Sequence, residues 1–168
     1  GIVKQHAGEI DVHSVAGQGA IFTIYLPALA AEAPPAAAAA VELTKGNGAT
    51  ILLVEDNVKL LEVMSDVVEM LGYTVVGAAN GKEALDVLEK RASTIDLVLT
   101  DLIMPKMGGD ALLAAMRARG LTIPVVILSG HPLDNELAGL RERGLSGWLL
   151  KPPKMQDLAQ ILAQALAA

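Results

Sequence analysis

The chain has 168 residues, a net charge of −6 and no cysteine. That length holds one domain with a real core plus appendages rather than two full domains, and the acidic balance, without a Lys/Arg cluster, argues against a nucleic-acid partner. The missing cysteines remove disulfide scaffolds and Cys-based zinc or redox sites and fit a reducing, cytoplasmic setting, while 52% hydrophobic but only 2% aromatic residues call for an aliphatic core.

Gly1 to Pro27 reads as a helix end followed by a β-hairpin. Ile10-Asp11-Val12-His13 and Phe22-Thr23-Ile24-Tyr25 alternate apolar with polar residues, and Gly17 and Gly19 supply the turn. Composition then shifts to Ala28-Leu29-Ala30 and a run holding Pro34-Pro35, and again at Lys45-Gly46-Asn47-Gly48. Residues 28–48 therefore read as an Ala/Pro-rich linker, in which the alanines are too few for a persistent helix. Residues 1–27 form one fragment and residues 49–168 one domain. No apolar stretch approaches the roughly 18 residues of a membrane span, and Gly1-Ile2-Val3-Lys4 does not begin a signal peptide, so no membrane contact is expected of this segment. A chain starting without methionine is expected to be a piece of a longer protein.

Beyond the linker, strand and helix patterns alternate. Strands are predicted over Thr50–Val54, Tyr73–Gly77, Ile95–Thr100, Ile123–Leu128 and Gly147–Leu150. Between them, Leu60, Met64, Val67 and Leu71 recur at helical spacing up to Gly72, a good residue just past a helix end. Asn80-Gly81 turns into a second helix through Leu85 and Leu88. Further helices are predicted over Asp110–Arg119, Asp134–Arg143 and Met155–Ala167. Strict alternation with short loops implies an α/β fold, a doubly wound five-stranded parallel sheet with right-handed crossovers.

Four of these apolar runs end in a polar residue, be it an acid, a hydroxyl or an ammonium. Glu55-Asp56 follow Val54, Asp101 follows Thr100, Ser129 follows Leu128 and Lys151 follows Leu150. Parallel strands bring those ends to one edge, where open α/β sheets place ligand sites. Three carboxylates there repel by about 4 kcal/mol per close pair at an effective dielectric of 20. A hard divalent cation between them is the natural remedy. Taken singly, each residue has a plainer role: Asp56 and Asn57 cap the next helix, Asp101 sits in a turn, Ser129 forms an ordinary ST-turn and Lys151 is solvated. Together they ask for a reason why all four of these strand ends carry the type that a metal-phosphate site needs.

Val54-Glu55-Asp56-Asn57, Asp101-Leu102-Ile103-Met104-Pro105 with Gly108-Gly109, Ser129-Gly130 and Trp148-Leu149-Leu150-Lys151-Pro152 resemble the four signature blocks of the response-regulator receiver domain, in the right order over Thr50 to Ala168. The resemblance implies a flavodoxin-like (βα)5 fold in which Asp101 is the phosphoryl acceptor. It places Glu55, Asp56, Asp101 and the backbone carbonyl of Ile103 around a Mg²⁺ ion, which takes oxygen ligands at about 2.1 Å and keeps several waters. Lys151 is then the cation that neutralises phosphoryl oxygens, and Ser129 the hydroxyl donor that draws its loop toward the site. A cis Lys151–Pro152 bond is also implied. The phosphodonor would be the phosphohistidine of a histidine kinase or of a histidine phosphotransfer protein.

Three departures and additions stand out. Trp148 occupies the switch position where the family usually has tyrosine or phenylalanine; the larger indole, whose N–H wants a partner, puts an inward swing in doubt. Ile103 and His131, each two residues past Asp101 and Ser129, are expected to set acyl-phosphate lifetime, although His131 also reads as a plain loop histidine. Val58, Leu61, Val63 and Val68 exceed what one buried stripe needs; half suit packing, and the rest suit an apolar edge for a helical phosphodonor.

Residues 1–27 resemble the last segment of a sensor histidine kinase ATPase domain, without its ATP-binding blocks or phosphorylated histidine, so His6 and His13 read as surface residues. The implied parent is a hybrid histidine kinase. A hairpin cut from its sheet buries little and is expected to be mobile or loosely docked. The competing function is a phosphorylation-independent interaction module, a pseudo-receiver. A Mg²⁺-dependent phosphohydrolase would need a second acid beside the nucleophile, where Leu102 and Ile103 stand. A nucleotide or flavin domain would need a glycine loop after the first strand, where Glu55-Asp56-Asn57 stand.

Overall fold

A computed structural model describes residues 2–5, 7–17, 19–27, 46, 48–133 and 136–167. The chain divides into two units, Gly1–Val41 and Glu42–Ala168, a division inside the expected linker, most of which lies outside the described residues. In the first unit a short helix α1 (Ile2–Gln5) precedes strands β1 (Glu9–Val15) and β2 (Gly19–Tyr25). The strands pair antiparallel, Ile10 opposite Ile24 and Val12 opposite Phe22. Gly17 at φ 77° and Gly19 at φ 92° supply the left-handed turn that the expected hairpin requires.

The second unit runs β3 (Thr50–Val54), α2 (Val58–Met70), β4 (Thr74–Ala78), α3 (Gly81–Arg91), β5 (Leu97–Asp101), α4 (Gly109–Ala118), β6 (Val125–Ser129), α5 (Leu137–Glu142), β7 (Gly147–Leu150) and α6 (Met155–Ala167). Its five strands are all parallel, as the βα alternation predicts, and lie in the order β4-β3-β5-β6-β7. Strand residues alternate between two aliphatic layers. Leu52, Val54, Val98 and Ile127 pack with Leu85, Leu88, Leu112 and Met116 of α3 and α4. Ile51, Leu53, Leu99 and Val126 pack with Met64 and Val68 of α2 and Leu158 and Leu162 of α6. Each fully buried Leu, Ile or Val contributes about 1.5–3 kcal/mol, so the layers need no aromatic centre.

Local chemistry sets the boundaries. The Asn57 side chain caps α2 by accepting the Leu60 N–H (3.2 Å), and Gly72 at φ 87° ends that helix. Asn80 accepts the Glu83 N–H (3.1 Å) while the Glu83 carboxylate accepts the Ala79 N–H (3.0 Å), a reciprocal cap at the start of α3. Several ends differ from expectation. β4 starts at Thr74 and β5 at Leu97, after an unforeseen 3₁₀ turn at Ala92–Thr94. β6 starts at Val125 because Pro124 has no N–H to give to the ladder; its carbonyl instead accepts the Val98 N–H. α5 starts at Leu137, since the carbonyl of buried Leu133 accepts the Glu136 and Leu137 N–H groups and fixes the turn there; Asp134 lies outside the described residues.

Candidate metal centre

The carboxyl ends of β3, β5, β6 and β7 lie on one edge, where the four polar strand ends were expected to meet. Glu55 follows β3, is 4% exposed, and receives the Asn57 N–H on Oε1 (3.3 Å). Asp101 ends β5, the neighbouring strand, and the Leu102 N–H just beyond it bonds to the Leu128 carbonyl (2.9 Å). Lys151 follows β7, its own N–H held by the Ser129 carbonyl (2.7 Å), and its preceding neighbour's register is set by Ser129 opposite Leu150. The Lys151–Pro152 peptide is cis.

These placements converge on one ion cluster. Lys151 Nζ lies 2.6 Å from Glu55 Oε2 and 2.8 Å from Asp101 Oδ2. Burial pulls the Lys151 pKa down, but hydrogen bonds to Asp101 and Glu55, with their charges, outweigh that and hold it above its ordinary value. The side chain is therefore an ammonium at neutral pH. Asp56, exposed at the rim, completes a group in which Glu55, Asp56 and Asp101 each offer an oxygen within 4.8 Å of the others. Three carboxylates against one ammonium leave two negative charges, the complement of a divalent cation. With oxygen-only donors, this is the donor set that suits Mg²⁺.

Two glycines let the next loop close over this group. A Cβ on Gly108 would lie 2.5 Å from the Leu102 carbonyl oxygen, and one on Gly109 2.5 Å from that of Asp101. The Thr100 hydroxyl, fully buried, donates to the same Asp101 carbonyl (3.0 Å). Neither this hydroxyl nor the Asn80 cap figured among the expected site residues. Ile103 presents its side chain to solvent, 69% exposed, with its N–H directed at Asp101 Oδ1 (3.4 Å).

Other expected site residues stand further off. Ser129 is fully buried, but its hydroxyl donates to the His131 carbonyl (2.6 Å) and accepts the His131 N–H (3.2 Å). The ST-turn, the plainer of its two readings, is thus what this state contains. His131 Nε2 lies 4.0 Å from Glu136 Oε2, both half-exposed, beside a polar cleft of about 490 Å³ that also reaches Ile103 and Asp110. Trp148 is half-buried against the layer formed with α3 and α4. Of the four surplus apolar residues of α2, Val68 is fully buried and Leu61 packs against the sheet beside Gly77. Val58 and Val63 remain 64% and 57% exposed.

The sequence model of the response regulator receiver domain matches residues 51–163. The chain belongs to the response-regulator receiver family. Over 99% of its length the receiver-containing chain is 34% identical to the sensor kinase CckA of Brucella abortus, and over 97% it is 35% identical to the sensor histidine kinase RcsC of Salmonella typhi. It spans only 18% of either relative. A response regulator receiver domain from Clostridium thermocellum superposes with a TM-score of 0.66 at 32% identity, covering 71% of this chain and 94% of that one. The receiver is thus a domain of two-component signalling, with the CheY-like sheet order already described. No helix among the described residues is long and apolar enough to cross a membrane.

Proposed function

We propose that this receiver accepts a phosphoryl group on Asp101 from a phosphohistidine, with Mg²⁺ held by Glu55, Asp56, Asp101 and the Ile103 carbonyl. The observation that carries the reading is the Lys151 ammonium bridging Glu55 and Asp101 at 2.6 and 2.8 Å beside Asp56. When bound, Mg²⁺ supplies charge neutralisation for phosphoryl oxygens. The chain's own residues do the rest. An Asp101 carboxylate oxygen attacks phosphorus, the P–N bond breaks, and its electron pair leaves with the imidazole. Lys151 is placed to receive the charge on the transferred group. Water reverses the modification by attacking phosphorus, the P–O bond to Asp101 breaks, and inorganic phosphate leaves the regenerated carboxylate; the exposed Ile103 and His131, which share one cleft, line its approach.

Ser129 gives the switch its starting state. To donate to a phosphoryl oxygen its hydroxyl must release the His131 carbonyl, so phosphorylation would exchange one hydrogen bond for another and move the loop after β6. Trp148, three residues before Lys151, is the natural reporter of that movement. We read residues 1–27 as the remnant of a histidine kinase ATPase domain and the parent as a cytoplasmic hybrid histidine kinase; the alignments with CckA and RcsC, which run through the hairpin, and the cysteine-free sequence support this.

The partner is a phosphohistidine-bearing helix of a kinase or of a histidine phosphotransfer protein. An apolar groove of about 530 Å³ beside Lys151, lined by Leu60, Val63 and Val67 of α2 and by Pro152, Pro153 and Met155, suits such a helix. Val58→Glu at the adjoining exposed edge is expected to slow transfer from a protein donor while sparing labelling by acetyl phosphate; equal loss in both assays would mean misfolding. The primary test is intact mass after acetyl phosphate and Mg²⁺, for wild type and Asp101→Asn, with Trp148 fluorescence recorded in parallel. One Mg²⁺-dependent adduct that vanishes in the variant is expected. No adduct from either acetyl phosphate or a protein donor would leave the pseudo-receiver reading.

A further inference from the structure

The loop from Leu102 to Gly108 must hold the Ile103 carbonyl toward the carboxylates, yet it is not a regular element. It contains Pro105 and a left-handed lysine, Lys106, at φ 68°. Its first half is anchored by the buried side chains of Leu102 and Met104 and by the Leu102 N–H on Leu128. The second half has a γ-type turn, Met107 N–H to the Pro105 carbonyl (2.8 Å), and a bond from the Gly109 N–H back to the Leu102 carbonyl (2.9 Å).

One further bond comes from outside the loop. The Gly81 N–H, at the first residue of α3, donates to the Met107 carbonyl (3.1 Å). The first N–H groups of a helix have no partner within it, and here one of them is given to the loop rather than to water. Gly81 is buried, and a Cβ on it would lie 2.6 Å from Met107 Cγ and 2.9 Å from the Met107 carbonyl oxygen. The turn that presents this N–H is itself fixed, because Asn80, only 8% exposed, is locked in the reciprocal cap with Glu83.

We infer that Gly81 is a positioning residue for the metal centre: through the Met107 carbonyl it sets the seat of the Leu102–Gly108 loop, and with it the Ile103 carbonyl. The inference rests on the Mg²⁺ reading above. Any side chain at position 81 pushes the loop outward by its carbonyl, and the ligand carbonyl at position 103 moves with it.

The test is Mg²⁺ titration by calorimetry and by Trp148 fluorescence on the full chain, with thermal unfolding measured alongside. Gly81→Ala is expected to weaken Mg²⁺ about tenfold, the lower end of what an outer-shell partner is worth to a metal site. Its acetyl phosphate labelling should recover at saturating Mg²⁺. Adding Met107→Ala, which removes Cγ from the clash, should restore part of the affinity. Leu162→Ala, on the buried face of α6, should lower thermal stability with Mg²⁺ affinity unchanged. Should Gly81→Ala not fold, Asn80→Ala loosens the same turn without adding an atom against Met107, and is expected to weaken Mg²⁺ severalfold. Wild-type affinity in a folded Gly81→Ala, or in Asn80→Ala when that variant replaces it, would overturn the inference and reduce Gly81 to packing. A wild type that takes up no Mg²⁺ would instead remove the metal reading on which it rests.

Discussion

The two sheets of this chain invert the usual relation between strand length and burial. β1 and β2 pair over seven residues each and stay exposed except at Thr23, whereas β3, β5 and β6 are five residues long and almost entirely out of water. Both sets have a coherent apolar pattern; Ile10, Val12, Phe22 and Ile24 share one side of the hairpin, and each is about half exposed or more. Pairing is local and follows from alternation and a glycine turn. Burial needs a second layer, and among the described residues only the parallel sheet has helices on both faces to supply it.

The comparison breaks most visibly under truncation. Leu99→Ala, at a fully buried site on β5, is expected to cost about 3–5 kcal/mol in denaturant unfolding. Phe22→Ala, at 65% exposure, should change that transition by no more than about 0.5 kcal/mol. Amides of β1 and β2 should likewise exchange far faster than those of β5 and β6. A large effect of Phe22→Ala, or strong protection in the hairpin, would mean that the first unit has a core of its own.

The next test concerns the sheet edge. Lys151→Met leaves Glu55, 4% exposed, and Asp101 without their ammonium and is expected to cost about 3 kcal/mol, partly returned by Mg²⁺. The pH profile carries the same information. The folded pKa of Lys151 is raised above 10.5, so its stabilisation is complete below the unfolded value and is lost as pH climbs through the folded one. Tyr73, raised by burial, acts in the same direction. The alkaline loss of stability should therefore be smaller in Lys151→Met than in wild type but not absent, and identical profiles would dismiss the Lys151 contribution. At the small end, Arg119→Ala, which removes an exposed pair with Glu89 at 3.7 Å, should change stability by less than about 0.5 kcal/mol.

The parallel sheet and its two covering layers were legible because period and alternation act over whole elements; the strand order was not, since it depends on which strands meet across the sheet. The ion cluster was legible because each member stands at a strand end, where a one-dimensional pattern fixes a three-dimensional place. The rest depended on contacts between segments far apart in sequence. Asn80-Gly81-Lys82-Glu83 carries a visible capping pattern, read only as a turn, and nothing local shows that its first N–H meets Met107. Which of the four surplus apolar residues of α2 pack was not legible, and Leu61 packs beside Gly77 because the β4 edge has no side chain there. Ser129 kept both its readings, since a hydroxyl bonded to its own loop and one bonded to a phosphoryl oxygen call for the same residue.

Lys151 has one more consequence, for the order in which the protein is made. Its partner Glu55 precedes it by 96 residues, and of the strands of this sheet β7 is the last to leave the ribosome. A nascent chain can pair β3, β4 and β5 as they emerge, but every such early sheet brings its acids together without their own cation. Synthesis of β7 relieves that repulsion, so the charge at the signalling edge also opposes a half-made sheet and favours the finished one.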